Sequence, residues 1–170
     1  QAENINTAVT AISVLQKISS FKINSKDITN GLLNTVKNTG ILGRWQILKN
    51  RPLIICDIGH NVDGIKNVVQ QIKSIKYRKL HFVFGTVNDK EILKILVQLP
   101  KDAEYYFCEA NIPRAMNSKK LKKHASKYNL NGKEYQNVKE ALKSAEMNSD
   151  SDDLIFIGGS TFVVSEILQF

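Results

Sequence analysis

One short stretch of the chain places three chemically active side chains in a single turn. The stretch LIICDIGHNVDG, residues 53–64, contains Asp57, His60 and Asn61 between an apolar run and an amphipathic pattern. A carboxylate can accept hydrogen bonds from ribose hydroxyls, and an imidazole can donate one to an anion. A helix that begins directly after such a turn also offers free N–H groups and the positive end of its dipole to phosphate. The turn is therefore a candidate nucleotide or phosphate site.

The same turn also has a purely structural interpretation. Asp57 or Asn61 can serve as the N-cap of the following helix, because both side chains accept hydrogen bonds from free helical N–H groups. Residue types and spacing do not decide between a cap and a ligand site, so both interpretations stay open.

Polar residues and glycines follow three further apolar runs in the same way. Each group by itself is ordinary turn chemistry. If the runs are parallel strands, their carboxyl ends share the edge of the sheet at which ligands bind in open α/β folds. The groups lie in FGTVNDKE (84–91), EANIPRAMN (109–117) and IGGSTF (157–162), with Gly85, Asn88, Asp89, Lys90, Glu109, Asn111, Arg114, Gly158, Gly159 and Ser160 as their notable members. The sequence contains neither G-x-x-x-x-G-K-[ST] nor G-x-G-x-x-G, so the predicted edge has no phosphate-binding loop of its own.

The hydrophobic pattern predicts the elements that must position these residues. Apolar spacing indicates a helix at 2–18 and a second helix near 26–38, with a cap near Ser25 and an end at Gly40. After that point strands alternate with helices. The predicted strands are 43–48, 53–57, 79–85, 103–110, 133–136 and 153–160, and the predicted helices are 62–75, 90–99, 118–129, 137–146 and 161–168.

This order of elements predicts an α/β fold. Only KNRP, residues 49–52, separates the first two strands, which predicts a hairpin and an antiparallel pair. The alternation that follows predicts a Rossmann-like, open, mostly parallel six-stranded sheet flanked by helices. Two helices precede the sheet.

The composition suits a folded domain. The chain has 170 residues, of which 42% are hydrophobic, and it contains no apolar run long enough for a membrane span. Its two cysteines, Cys56 and Cys108, lie in apolar runs and are interpreted as buried thiols in a reducing compartment, although a disulfide stays open. A cytoplasmic location is expected.

The formal net charge of +8 raises the question of a nucleic-acid partner. The densest basic segment is SKKLKKHASKYN, residues 118–129, in which Leu121, Ala125 and Tyr128 share one helical face. A solvated helix is the favoured interpretation, because basic patches that bind nucleic acid are usually interleaved with aromatic residues or glycines. A positive field that attracts anionic small molecules remains compatible with this segment.

Several motifs also stand in a characteristic order along the chain: QAENINTAVTAISVL, NTGILGRWQIL, CDIGHNVDG, FGTVNDKE, IPRAM and IGGSTFVVSEIL. This order resembles the C-terminal part of the folylpolyglutamate synthase / dihydrofolate synthase family, a group of Mur-ligase-like, ATP-dependent amide ligases. Val62 departs from the proline usual in that family, and Glu91 from the frequent aspartate. By this resemblance, residues 1–40 are the last helices of the central ATPase domain with a linker, and residues 41–170 are the Mur-ligase-type C-terminal domain.

The resemblance implies an enzyme that uses ATP and Mg²⁺ to join L-glutamate to a folate or dihydropteroate carboxylate through an acyl phosphate. No nucleic-acid or membrane partner is expected from the charge pattern and the apolar runs, and a monomer is expected. The Walker-type loop and the Mg²⁺ ligands belong to a part that this chain lacks, so the chain alone is expected to be inactive. The implied roles are adenine contact for Asn4, terminal-phosphate contact for Arg44, ribose or nearby nucleotide contact for Asp57, phosphate or acyl-phosphate contact for His60, and glutamate binding for Ser160 and Arg114.

Two alternatives remain. One is a Mur-type ligase that adds amino acids to a peptidoglycan precursor, but such enzymes usually carry a lysine near the position of His60. The other is a non-catalytic nucleotide- or nucleic-acid-binding α/β module, which only the charge and the generic pattern support.

Overall fold

The computed structural model of the protein describes residues 2–88 and 91–168. Backbone contacts divide the chain into two units, Gln1–Leu42 and Gly43–Phe170.

The first unit is helical. It contains α1 (Ala2–Ile18), α2 (Ser25–Leu33) and α3 (Thr35–Thr39), and the predicted helix at 2–18 is confirmed. Asn24, not Ser25, caps α2: its side chain accepts from two helical N–H groups, and the Asp27 carboxylate accepts from the Asn24 N–H. The single helix predicted at 26–38 is interrupted at Asn34. Gly40, with φ +64°, ends α3 as predicted.

The second unit is the predicted α/β fold. Its six-stranded sheet has the order β1-β2-β6-β3-β4-β5, in which β1 is antiparallel to β2 and every other pair is parallel. The strands are β1 (Gln46–Asn50), β2 (Leu53–Asp57), β3 (Leu80–Phe84), β4 (Glu104–Phe107), β5 (Gly132–Glu134) and β6 (Leu154–Gly158), and the helices are α4 (Val62–Lys73), α5 (Ile92–Gln98), α6 (Ser118–Ser126), α7 (Val138–Met147) and α8 (Thr161–Leu168). The fold class is confirmed.

The first strand begins three residues later than predicted. Gly43 has φ +76° and Trp45 has φ +46°, and neither value is compatible with a strand. Residues 43–45 therefore form a turn, and β1 follows it. The predicted hairpin is confirmed, with Arg51 and Pro52 between β1 and β2.

Helices cover both faces of the sheet because strand side chains alternate between the faces. Phe82 and Phe84 pack with α4, α5 and α6, whereas Val83 packs with α7 and α8. Cys56 and Cys108 are buried free thiols, as the sequence predicted. Burial and the nearby Asp57 carboxylate raise the pKa of Cys56 to about 11. Among the described residues, no helix is both long and apolar enough to cross a membrane.

A buried polar group lies at the amino end of β3 and β6. The His81 Nε2–H group donates to Asp153, and Nδ1 lies 3.0 Å from the Tyr106 hydroxyl. Arg78 donates to both oxygens of Asp153 at 3.0 Å, and the Asp150 N–H donates to the same carboxylate at 2.8 Å. Burial alone would raise the pKa of Asp153, but the hydrogen bonds and the Arg78 charge outweigh it and lower that pKa to about 2. We refer to His81, Asp153 and Arg78 as the amino-end network.

Candidate functional site

The carboxyl ends of four strands are level with one another. Asp57 of β2 pairs in register with Gly158 of β6, Gly158 with Phe84 of β3, and Phe84 with Phe107 of β4. The turns after these strands therefore share one edge of the sheet, where ligands bind in open α/β folds. We refer to this edge as the carboxyl edge.

Both oxygens of the Asp57 carboxylate at this edge accept a hydrogen bond from backbone. Oδ2 accepts from the Trp45 N–H at 2.8 Å, and Oδ1 accepts from the Gly59 N–H at 2.7 Å. The residue is only 6% exposed. Asp57 is not the cap of α4, and little of its carboxylate faces solvent.

The turn at residues 43–45 is held against the turn after β2. The Gly43 carbonyl accepts from the Ile58 N–H at 2.8 Å. A side chain at Gly43 would place its Cβ 2.8 Å from the Ile58 side chain, in a backbone conformation that already favours glycine. Arg44 stands between Gly43 and Trp45, both of which are fixed, and its own side chain is exposed. The sequence therefore folds so that one arginine is presented beside residues 57–60.

His60 and Asn61 have different roles at the start of α4. The His60 Nδ1 atom lies 3.0 Å from the Ile58 carbonyl, which can only accept, so Nδ1 carries the hydrogen. The Nε2 atom is then left for another partner, and the residue is exposed. Asn61 is the N-cap, because its side chain accepts from the Gly64 N–H at 2.7 Å. The sequence alone did not decide whether Asp57 or Asn61 caps α4, and the structure shows that Asn61 does.

Ser160 lies in the turn after β6. Gly159 has φ +96°, and a Cβ there would stand 2.4 Å from the Phe84 ring, so the neighbouring strand passes very close. The Ser160 hydroxyl is buried at the start of α8 and accepts from the Phe162 N–H at 3.2 Å. This turn lies between those of β2 and β3.

Arg114 reaches the same place from the segment after β4. Its guanidinium carbon lies 4.7 Å from the centre of the Phe162 ring, a cation–π contact. Its carbonyl accepts from the Asn88 N–H at 2.9 Å, which ties the segment to the turn after β3. Arg114 and Ser160 thus share Phe162 as a neighbour. Asp89 and Lys90, also expected at this edge, lie outside the described residues.

The predicted site residues therefore fall into three groups. Direct contacts bring together the segments that hold Arg44, Asp57 and His60. Ser160 and Arg114 form the second group; they follow β6 and β4, and both contact Phe162. Asn4 lies in α1 of the first unit, with an exposed side chain.

A cavity of about 670 Å³ opens farther along the carboxyl edge. It is lined by residues that follow β4 and β5 and by parts of α7 and α8, including Asn111, Pro113, Gln136, Lys139 and Glu166. None of the residues with an implied substrate role lines it, but Glu109 and Asn111, which the sequence places at this edge, do. Another cavity, of about 600 Å³, lies at the opposite end of the sheet, beside Arg78 and Asp153.

Comparison with known proteins identifies the family. Residues 43–161 match the family described as Mur ligase, glutamate ligase domain. The chain belongs to this family. The match begins at the glycine of the 43–45 turn and ends at the first residue of α8.

Individual relatives confirm the predicted folylpolyglutamate synthase / dihydrofolate synthase resemblance. The dihydrofolate synthase/folylpolyglutamate synthase of Buchnera aphidicola subsp. Acyrthosiphon pisum is 31% identical over 97% of this chain and 39% of its own length. A structure of E. coli FolC in complex with DHPP and ADP aligns with a TM-score of 0.81 and 25% identity, over 98% of this chain and 38% of FolC. A bifunctional folylpolyglutamate synthase/dihydrofolate synthase with Mn, AMPPNP and L-glutamate bound aligns with a TM-score of 0.78 and 26% identity, over 95% of this chain and 38% of its own. The chain thus spans about two fifths of the length of these relatives.

Sequence reasoning missed two residues that build this site, and it missed the role of a third. Trp45 and Phe162 supply the N–H groups that hold Asp57 and Ser160, and Glu109 accepts from the Ser118 N–H at 2.7 Å at the start of α6. A backbone donor carries no signature in the residue type. Glu109 was recognised only as a residue of the edge, and its spacing of nine residues from Ser118 fits no local capping pattern.

Proposed function

We propose that this chain is the C-terminal part of an ATP-dependent ligase that joins L-glutamate to the carboxylate of a folate or dihydropteroate. The observation that carries the proposal is the anchored Gly43-Arg44-Trp45 turn beside His60, in a chain of the glutamate ligase family. The structures of relatives described with ADP and DHPP, and with AMPPNP and L-glutamate, support the same substrates.

The proposed reaction has two steps. A carboxylate oxygen of the folate or dihydropteroate attacks the γ-phosphorus of ATP, the bond to the β-phosphate oxygen breaks, and ADP leaves. The glutamate amine then attacks the carbon of the acyl phosphate. Loss of a proton and of inorganic phosphate yields the amide.

Arg44 and His60 are the proposed catalytic residues. Negative charge develops on the transferred phosphoryl group and on the tetrahedral intermediate, and fixed donors near that charge lower the barrier. The guanidinium of Arg44 can pair with phosphate oxygens in a forked geometry. His60 holds its Nδ1 hydrogen on Ile58, so Nε2 can donate to the phosphates when the ring is protonated.

The other residues are assigned to substrate binding. Asn4 is assigned to the adenine, and Asp57 to the nucleotide part of the site. Ser160 and Arg114 are assigned to the incoming glutamate, because a hydroxyl bonded to the Phe162 N–H and a guanidinium over the Phe162 ring suit its α-carboxylate.

Mg²⁺ is the proposed metal, although the described residues contain no group of three or more His, Cys, Asp or Glu side chains that could hold it. Its ligands are assigned to a part of the enzyme outside this chain, and no step above is derived through it. The relative described with Mn and AMPPNP supports a divalent ion. A monomeric, cytoplasmic enzyme remains the prediction.

The test is an assay of ADP formation by the full-length protein. ADP should form only when ATP, glutamate and a folate or dihydropteroate are all present. Arg44→Ala should lower the turnover by about 10²–10³, the usual effect of removing one donor to developing charge. Arg51→Ala, an exposed arginine at the opposite end of β2, is the matched control and should stay within about twofold of wild type.

The proposal is wrong if ADP formation does not depend on glutamate. Turnover with a UDP-linked muramoyl peptide and no turnover with folates would instead place the enzyme in the peptidoglycan branch. Full turnover by Arg44→Ala would remove Arg44 from the site.

A further inference from the structure

The segment that carries Arg114 is held at its start by a carboxylate of α8. We infer that Glu166 is a positioning residue for Arg114 and that it thereby sets the affinity for the incoming glutamate. The inference rests on the proposed function, in which Arg114 binds the glutamate α-carboxylate. It extends that function from the residues proposed to touch substrate to one that acts through Arg114.

Glu166 links α8 to the segment that follows β4. Its carboxylate accepts a hydrogen bond from the N–H of Asn111, which lies 55 positions earlier in the sequence. The bond caps no helix, because α6 begins only at Ser118. A hydrogen bond to an ionised acceptor is stronger than one between neutral groups. Glu166 therefore fixes the start of the segment against α8.

The same face of α8 also contacts Arg114. Phe162 and Glu166 are one helical turn apart, so their side chains are neighbours on the surface of α8. The guanidinium carbon of Arg114 lies 4.7 Å from the centre of the Phe162 ring. One helix face thus holds the start of the segment through Glu166 and the arginine through Phe162.

A short turn connects these two contacts. Ile112 and Pro113 separate the two contact points in the sequence. The Ala115 N–H donates to the Ile112 carbonyl at 3.1 Å, which closes the turn around Arg114. The ring of Pro113 also fixes its own φ angle. Because this turn has little conformational freedom, a displacement of its start should move Arg114.

The far end of the segment is tied to the turns of the sheet. The Asn88 N–H donates to the Arg114 carbonyl at 2.9 Å. The Met116 N–H donates to the Thr86 carbonyl at 2.8 Å. These bonds do not involve α8. Without Glu166 the end of the segment should therefore stay in place while its start is released, and Arg114 should lose its position over the Phe162 ring.

Glu166 and Arg114 act on different sides of the segment. Glu166 lines the cavity at the carboxyl edge together with Asn111 and Pro113, whereas Arg114 does not line it. This separation favours an indirect role for Glu166. A direct contact between Glu166 and the ammonium group of the substrate is the competing role.

The test is steady-state kinetics of the full-length protein, with each substrate varied in turn. Glu166→Ala should raise the KM for glutamate by about 10-fold, the scale expected when a hydrogen bond to a charged group is lost. The KM for ATP and the KM for the folate or dihydropteroate should match wild type. Glu166→Gln keeps an acceptor oxygen and should restore most of the glutamate affinity. Glu140→Ala removes an exposed carboxylate in the first turn of α7 and is the matched control, which should behave as wild type.

A double-mutant cycle separates the possible roles. Arg114→Ala should itself raise the KM for glutamate, and in that background Glu166→Ala should cost less than about threefold more. A direct contact with the substrate ammonium predicts the full penalty in that background and equal losses in both Glu166 variants. A purely structural role predicts a lower melting temperature and a similar rise in all three KM values. Any of these results overturns the inference.

If the wild type makes no glutamate-dependent ADP, the proposed function fails, and the positioning of the segment is then measured by hydrogen exchange. Amides of residues 111–115 should exchange at least about 10-fold faster in Glu166→Ala than in wild type, because the start of the segment opens more easily. Amides of β4 should not change. Unchanged exchange at residues 111–115 would refute the positioning role of Glu166.

Discussion

His60 is proposed to serve chemistry without serving the fold. The imidazole is exposed, and the hydrogen bond described for it joins Nδ1 to the carbonyl of Ile58, two residues earlier. That bond orients the ring but does not link distant parts of the chain. Its neighbour Asn61 has the opposite role, since it caps α4. Adjacent positions therefore separate a proposed catalytic function from a structural one.

Replacing His60 should affect catalysis and leave stability unchanged. In the full-length protein, His60→Ala should lower the turnover by an amount equivalent to about 2–4 kcal/mol, because a positioned group beside developing phosphate charge is lost. The melting temperature should stay within error of wild type. Steady-state kinetics and thermal melting of the same preparation measure the two effects.

Asn61→Ala supplies the contrast. Loss of the cap should cost roughly 0.5–2 kcal/mol of stability, measured by urea unfolding. A His60→Ala protein with normal turnover, or one that melts as early as Asn61→Ala, would contradict the assignment.

Among the elements, the carboxyl-edge turns could be predicted only in part. The alternation of apolar runs and amphipathic helices is sufficient to predict the sheet, because the composition of residues 53–57 and 153–160 indicates strands. The 43–45 turn was read as part of a strand, because its left-handed Trp45 has no signal in the residue type. Asp57 was identified as functional, but its partner Trp45 lies twelve residues away, and a contact to backbone N–H leaves no trace in sequence.

A substitution at Gly43 tests the packing of this turn. Gly43→Ala must tolerate both φ +76° and a Cβ 2.8 Å from the Ile58 side chain, so it should lose about 2–4 kcal/mol of unfolding free energy. Gly40→Ala is the matched control, because Gly40 has φ +64° but nothing within 4 Å of an added Cβ. Gly40→Ala should lose only the unfolding free energy that comes from the left-handed backbone conformation, about 1–2 kcal/mol. Equal losses in urea unfolding would show that the Ile58 contact is unimportant.

The amino-end network should make stability depend on pH. Asp153 has a lowered pKa, about 2 in place of the ordinary 3.8. Its contribution to stability is therefore complete above about pH 4 and is lost as the pH falls toward 2. The contribution should be on the order of 1–2 kcal/mol, because Arg78 is more than half exposed and water screens its charge.

Urea unfolding of the chain at several pH values measures this contribution. Asp153→Asn should be less stable than wild type at pH 7, and the difference should shrink between pH 4 and pH 2. Asp152→Asn, an exposed neighbour, should follow the wild-type profile. A constant difference between Asp153→Asn and wild type across this range would refute the lowered pKa.

At the scale of the whole molecule, the two units differ in how much they bury. None of the described side chains of α1 from residue 4 onward is buried, whereas β2 and β6 are almost entirely buried. The sequence pattern predicts an apolar stripe on α1, and residues of that stripe such as Ile5 and Leu15 remain exposed. Periodicity can show that a helix has an apolar face, but it cannot show what covers that face.

Amide hydrogen exchange of this chain should reflect that difference. Amides of α1 should exchange at least about 10³-fold faster than those of β6, because local opening of an element with few buried contacts costs little free energy. Mass spectrometry of peptides from both segments gives the comparison. Equal protection of α1 and β6 would contradict this prediction, because it would show that the apolar face of α1 is covered in solution.

The amino-end network lies far from the carboxyl edge, since five-residue strands separate the two ends by about 17 Å. Substitutions at that separation generally change stability additively. Mutations that alter the proposed site at the carboxyl edge, and destabilise the fold in doing so, can therefore be compensated near Asp153 without disturbing that site. The sheet gives this protein separate regions for the evolution of specificity and of robustness.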